Sequence, residues 1–223
     1  MKLKKLKVVE FNSEKKLLLK CYEDFYKSKT TLISGGNTFN FFLKYLYKKN
    51  IKYKKNLILF DERISNLRKE KNFYKLNKYL INKNILKTNN FLNFEVLKDK
   101  VNINRINLLK KKISNFPEAD MALIGVGNDG HIGSIFPNIK KRYKNLLICK
   151  NKGEKFNRIS FDLNYVKKIK KIIIVIRDKN KKNILKKILS NAHKSELPVL
   201  KLIKIASNKT VSYTHLRAHE TRH

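Results

Sequence analysis

Apolar residues along this chain fall into two alternating patterns: short unbroken runs, and longer stretches in which they recur every three or four positions among Lys and Asn. The runs at 30–34 (TTLIS), 56–60 (NLILF), 119–125 (ADMALIG) and 171–176 read as strands covered on both faces, since a half-exposed strand would alternate. Shorter runs at 145–149 and 158–161 predict two more strands, and 199–206 a late one. The periodic stretches predict helices over 13–28, 38–49, 72–81, 103–113 and 180–190. In the first of these, Leu17, Leu18, Cys21, Tyr22 and Phe25 share one face; in the third, Leu76 and Leu80 stand at i,i+4. Residues 82–102, rich in Asn and Lys, predict no clear element.

Strand–loop–helix alternation predicts an α/β fold: an open, mostly parallel sheet with helices on both faces. Residues 1–210 contain no Pro/Gly/Ser-rich linker and no internal repeat, so they are expected to form a single domain. Ligands of such sheets bind beyond the carboxyl ends of the strands. Three segments fall there: Ser34-Gly35-Gly36-Asn37-Thr38, Asp61-Glu62-Arg63, and residues 125–134 (GVGNDGHIGS).

Composition changes this picture in two places. The 223 residues carry 53 Lys+Arg against 17 Asp+Glu, a formal charge of +36. Such a charge suggests phosphate-rich partners, and a basic nucleic-acid-binding protein is the alternative reading, predicting steeply salt-dependent retention of DNA or RNA. The cations, however, are 45 Lys and only 8 Arg, spread along the whole chain beside 27 Asn. Lys, Asn, Ile, Phe and Tyr share AT-rich codons. Compositional drift of a solvated surface explains the excess, and no specific nucleic acid is expected. With 42% hydrophobic residues the chain is too apolar for a disordered basic tail. No long apolar run predicts a membrane span, and the amino terminus lacks a signal-peptide core. Cys21 and Cys149 form no metal or disulfide motif, so a reducing cytoplasmic setting is expected.

The second place is the carboxyl end. Residues 211–223 (VSYTHLRAHETRH) contain no Lys and no Asn but three of the five His. The segment reads like a translated sequencing-library adapter. On that reading it is a non-native tail, to be left out of fold and site reasoning, and its histidines are not expected to form a metal site.

The chemistry lies in the three strand-end segments. Two glycines before a helix let backbone approach a ligand and offer free N–H groups to an anion, although alone they also make an ordinary turn. Asp61-Glu62-Arg63 offers acids and a guanidinium, with Arg63 one of six arginines before residue 211. Residues 125–133 hold four of the chain's seven glycines, with Asp129 and His131 two apart. An imidazole suits general-base work, and a neighbouring carboxylate can fix its tautomer.

Together these motifs resemble the 6-phosphogluconolactonases of the glucosamine-6-phosphate isomerase/deaminase superfamily, over about residues 31–200. The family's SGGSTP is similar to Ser34-Gly35-Gly36-Asn37-Thr38-Phe39, with Asn and Phe replacing Ser and Pro. Its DER stands at Asp61-Glu62-Arg63, and its SNY is similar to Lys71-Asn72-Phe73. Its glycine-rich DGH signature, ending in SLFP, is matched by residues 125–137, and its R-[IV]-[ST] strand by Arg158-Ile159-Ser160. The late family lysine falls on Lys181, with Lys179 and Lys182 as neighbours able to take its place. The family's carboxy-terminal strand and helix are expected to be missing or replaced by the tail.

The resemblance implies hydrolysis of 6-phospho-D-glucono-1,5-lactone without metal or organic cofactor. It casts Asp129, His131 and Arg63 as catalytic residues. Ser34, Gly35, Gly36, Asn37, Thr38, Asp61, Gly127, Arg158 and Lys181 become the substrate- and phosphate-binding set. The related deaminases carry a Glu shortly after the His, whereas here the run is Ile132-Gly133-Ser134-Ile135-Phe136-Pro137, without a carboxylate. A monomer or homodimer acting on a small sugar-phosphate lactone, away from membranes, is the expectation.

Overall fold

A computed structural model describes all residues except 1–5, 51, 99, 138–140, 144, 151–152, 191–195 and 216–223. His193, His219 and His223 therefore lie outside the described residues. The strands are β1 (Lys7–Glu10), β2 (Thr30–Ile33), β3 (Asn56–Leu59), β4 (Asp61–Ile64), β5 (Phe91–Leu92), β6 (Met121–Gly125), β7 (Lys141–Tyr143), β8 (Leu146–Cys149), β9 (Asn157–Phe161), β10 (Lys171–Arg177) and β11 (Thr210–His215). The helices are α1 (Glu14–Lys27), α2 (Asn40–Lys49), α3 (Asn72–Leu76), α4 (Ile103–Ser114), α5 (Leu163–Val166), α6 (Lys182–Leu189) and α7 (Pro198–Ile205).

Seven strands form one parallel sheet in the order β1-β11-β10-β6-β2-β3-β5. Its central strands are the unbroken apolar runs. All four residues of β2 are buried, as are Ile172 to Ile176 of β10. The chain builds outward from β2 through β3 to β5, then returns to the other side of β2 with β6 and continues to β10. The order thus reverses between β2 and β6, leaving a crevice beyond their carboxyl ends. Asp120 fixes the opposite ends of this pair, accepting from the backbone N–H groups of Lys29 (2.9 Å) and Thr30 (3.1 Å).

Three of the helices begin where the sequence supplies caps. Ser13, Asn102 and Asp162 accept from the N–H three residues on, opening α1, α4 and α5. On its inner face α1 buries Leu17, Cys21 and Phe25. A turn of π-helix over Asn77–Ile81 continues α3.

The structure corrects three expectations. Residues 199–206 are not a strand but the bulk of α7, which starts with Pro198 in its first turn and buries Val199 and Leu202, spaced i,i+3. Residues 145–149 and 158–161 are strands, as expected, but they leave the parallel sheet and form a second, antiparallel one in the order β4-β9-β8-β7. Asp61-Glu62-Arg63 is not a loop at a strand end. It begins β4 of that second sheet, one residue after β3. Residues 211–215, set aside on composition, belong to β11 and pair with β1 on one side and β10 on the other. Within β11, Tyr213 is buried, donates to Asp24 Oδ2 of α1 (2.6 Å) and stands edge-on to Phe11.

Candidate active site

Beyond the ends of β2 and β6 lies a cleft of about 440 Å³. Ser34, Gly36, Asn37, Thr38, Asp61, Arg63, Gly127, His131, Arg158 and Lys181 all line it. Two residues of the expected set do not. Gly35 packs behind the cleft, where a Cβ would stand 2.3 Å from Asn72 Cβ. Asp129 stands behind the imidazole ring.

The loop after β6 presents the histidine. Gly127 N–H donates to His131 O (2.9 Å), and Gly130 N–H to Gly127 O (3.0 Å). Bridges between Val126 and Ile132 and between Ile132 and Ile135 pin the far side of the turn, with Ile132 fully buried as its anchor. Gly130 and Gly133 adopt φ of 82° and 54°, backbone that other residues rarely take. Gly127 is required by space instead: a Cβ there would lie 2.2 Å from both Cε1 and Nδ1 of His131.

Asp129 Oδ1 lies 2.5 Å from His131 Nδ1 and also accepts from His131 N–H (3.2 Å). Burial raises the Asp129 carboxyl, but the charge and hydrogen bonds of His131 outweigh it and hold the group below the ordinary aspartate value. An ionised carboxylate only accepts, so Nδ1 carries the ring proton and Nε2 is left with the lone pair. Phe136 packs against the imidazole at 4.7 Å between ring centres and lies under the Arg158 guanidinium at 5.5 Å.

The second sheet supplies the arginines. Arg63 of β4 and Arg158 of β9 are directly opposed in antiparallel register, so both side chains leave the same face. Like charges so placed repel, and an anion between them would relieve the repulsion. Each is held in position. Arg63 Nη1 donates to Glu70 O (2.9 Å), while Arg158 engages Glu154 through Nε (2.5 Å) and Nη2 (2.6 Å), with Nη1 3.9 Å from Asp61 Oδ2. Asp61 also accepts from Ser134 Oγ (2.9 Å), and burial pushes its carboxyl up against the pull of Ser134 and Arg158.

Because side chains alternate along a strand, Glu62 points away from its neighbours in the cleft. It accepts from the N–H groups of Asn72 and Phe73 (both 2.7 Å) at the first turn of α3, and from its own strand at Arg63 N–H (2.7 Å). Burial nevertheless raises its carboxyl to about 7.

From the α6 side, the Lys181 ammonium reaches Thr38 Oγ1 (3.1 Å). The residue is buried, and burial lowers the ammonium below the ordinary lysine value. Of its neighbours as candidates, Lys182 is exposed, and the Lys179 side chain lies outside the described ones.

Sequence reasoning missed Asn72, Asn128, Asp178 and Asn180, which also line the cleft. Asp178 and Asn180 follow the carboxyl end of β10, where the strand-end rule could have found them; Asn72 had its signal in the Lys71-Asn72-Phe73 match. Among the described residues, no group of three or more His, Cys, Asp or Glu could hold a metal ion.

A family model described as glucosamine-6-phosphate isomerases/6-phosphogluconolactonase matches residues 15–212. A 6-phosphogluconolactonase of Helicobacter pylori strain J99 is 26% identical over 201 residues, covering 84% of this chain and 87% of that protein. The fold is similar to that of Thermotoga maritima 6-phosphogluconolactonase, with TM-score 0.74 at 19% identity over 96% of this chain and all of the other (100%). It is equally similar to a monomeric glucosamine-6-phosphate deaminase, with TM-score 0.74 at 14% identity over 94% of this chain and 98% of that one. Architecture therefore does not choose between the two chemistries.

Proposed function

The chain belongs to the family of glucosamine-6-phosphate isomerases and 6-phosphogluconolactonases, and from that premise we propose that it hydrolyses 6-phospho-D-glucono-1,5-lactone to 6-phosphogluconate. One observation carries this reading: a His131–Asp129 pair with its free ring nitrogen in a cleft flanked by Arg63, Arg158 and Lys181, with no carboxylate among residues 132–137. Deamination with isomerisation needs several proton transfers, and a carboxylate in that run would assist them. Ring opening of an ester needs one activated water.

The phosphate is held by the Gly36–Asn37 backbone, Lys181 and Arg158, leaving C1 of the lactone beside His131. Nε2 of His131 takes a proton from water as the water oxygen bonds to C1. Asp129 stabilises the resulting imidazolium, and Arg63 stabilises the negative charge on the carbonyl oxygen, an electrostatic contribution of several kcal/mol in a partly enclosed site. The tetrahedral species collapses with cleavage of the bond from C1 to the ring oxygen. That oxygen recovers the proton from Nε2, yielding the free hydroxyl and the carboxylic acid, which then ionises.

The test is acid release from the lactone, with spontaneous hydrolysis subtracted. His131→Ala is expected to lower kcat by about 10²- to 10⁴-fold, the range for loss of a general base. A His131→Ala protein as fast as wild type, or a wild type that instead deaminates glucosamine-6-phosphate, overturns the assignment.

A further inference from the structure

Asn37, where this chain departs from the serine of the family pattern, lines the cleft with its side chain tied down at one end only. Its Oδ1 accepts from Lys75 Nζ (3.1 Å) and from Asn40 Nδ2 (3.3 Å). An ammonium carries donors and no acceptor, so Lys75 fixes the amide with its oxygen turned toward α3. The Nδ2 group has no protein partner among the described residues. A serine hydroxyl would need no such help, because it rotates freely between donating and accepting. An amide must be held, since a flip would present an oxygen where a donor is wanted.

Lys75 differs from the solvated lysines that dominate this chain. It projects from α3 and is half-buried. Burial first, and the charge of Arg63 second, hold its ammonium below the ordinary lysine value. Its hydrogen bond goes to a neutral amide, and among the described residues it makes no ion pair.

We propose that Lys75 is a positioning residue of the cleft, holding Asn37 so that Nδ2 donates to an anionic oxygen of the bound sugar phosphate. This deepens the phosphorylated-lactone reading and rests on it. Asn37 and Lys75 then form one unit, in which the amide replaces a hydroxyl only because the lysine sets its direction.

The experiment is a double-mutant cycle of wild type, Lys75→Met, Asn37→Ser and Asn37→Ser/Lys75→Met, read as KM and kcat on the lactone, with thermal melting of each. Lys75→Met is expected to raise KM about five- to tenfold, the worth of one hydrogen bond, with kcat within about twofold. Lys75→Arg keeps the donor and should stay near wild type. In the Asn37→Ser background, loss of Lys75 should change KM by less than about twofold, because serine orients itself. Equal effects of Lys75→Met in both backgrounds would mean that only charge matters and would overturn the proposal. So would an unchanged KM in Lys75→Met, or a KM loss that follows a lowered melting temperature. Running the same cycle on 6-phosphogluconate affinity by calorimetry separates the two readings. A wild type that turns over no lactone sinks the activity, while coupling between Asn37 and Lys75 in product binding stands or falls independently.

Discussion

A single missing Cβ decides where the imidazole of His131 can sit. At Gly127 the added carbon of an alanine would overlap the ring at 2.2 Å, so the ring must move or the turn must open. Gly127→Ala is expected to leave the fold intact and lower kcat by about 10²-fold, since displacements of about 1 Å carry such losses; melting and kinetics measured on one preparation check both halves. The neighbouring glycines act differently. Gly36 has open space around it, consistent with a position that backs a ligand rather than a side chain, whereas Gly133 combines positive φ with no room for a Cβ beside Phe60 and Ser160. The cluster of glycines was legible in sequence, but the separate reason for each was not, because those reasons are distances to residues far away in the chain. Arg158 was legible in the same limited sense. Its clamp on Glu154 fixes the guanidinium, yet nothing about Glu154 marked it within a lysine-rich stretch.

At the level of elements, β4 gives one triplet two roles. Alternation sends Asp61 and Arg63 into the cleft and Glu62 to the start of α3, so the motif both lines the cleft and seats the helix that carries Asn72 and Lys75. Replacing Glu62 by Gln leaves one of the paired backbone donors without a suitable acceptor and is expected to lower stability by about 1–3 kcal/mol at low pH, where the contribution of Glu62 is full. The pH dependence carries its own sign. A folded-state value of about 7 lies above the 4.5 of an ordinary glutamate, so the folded protein binds the extra proton. The contribution of Glu62 is therefore fully present below about pH 4.5 and is lost as pH rises through about 7. Glu62→Gln should flatten the fall in stability across that window, measured by urea unfolding at several pH values. A slope identical to wild type would contradict this account. The misread of 199–206 belongs at this level too. Branched apolar residues suggested a strand, and only the placement of Val199 and Leu202 on one buried face shows the helical period.

Over the whole molecule, the parallel sheet depends on β11, which fills the place between β1 and β10. The requirement there is for backbone pairing and an apolar surface. Of the buried side-chain polar atoms among the described residues, the hydroxyls of Ser212 and Thr214 are without a hydrogen-bond partner, and both belong to this strand. Buried unpaired hydroxyls cost stability. Thr214→Val, and Ser212→Ala with it, are therefore expected to raise stability by about 1 kcal/mol or more, seen as a higher midpoint in denaturant titration. Tyr213→Phe should do the reverse, since it removes the donor to buried Asp24.

The sequence by itself determined the class of the fold and which loops carry the candidate residues. The unbroken apolar runs at 30–34, 56–60, 119–125 and 171–176 marked the central strands, and the clustered glycines, Asp129, His131 and the rare arginines stood out against a lysine-rich background. Local patterning suffices for such features because period, turn chemistry and neighbouring side chains are all short-range. Only the tertiary structure decided that 61–64, 146–149 and 157–161 leave the parallel sheet, that Arg63 faces Arg158, that Lys75 reaches the amide oxygen of Asn37, and that 211–215 pair inside the sheet. Each of these depends on which strand lies beside which, and strand neighbours are chosen by packing across the whole chain rather than by any window of it.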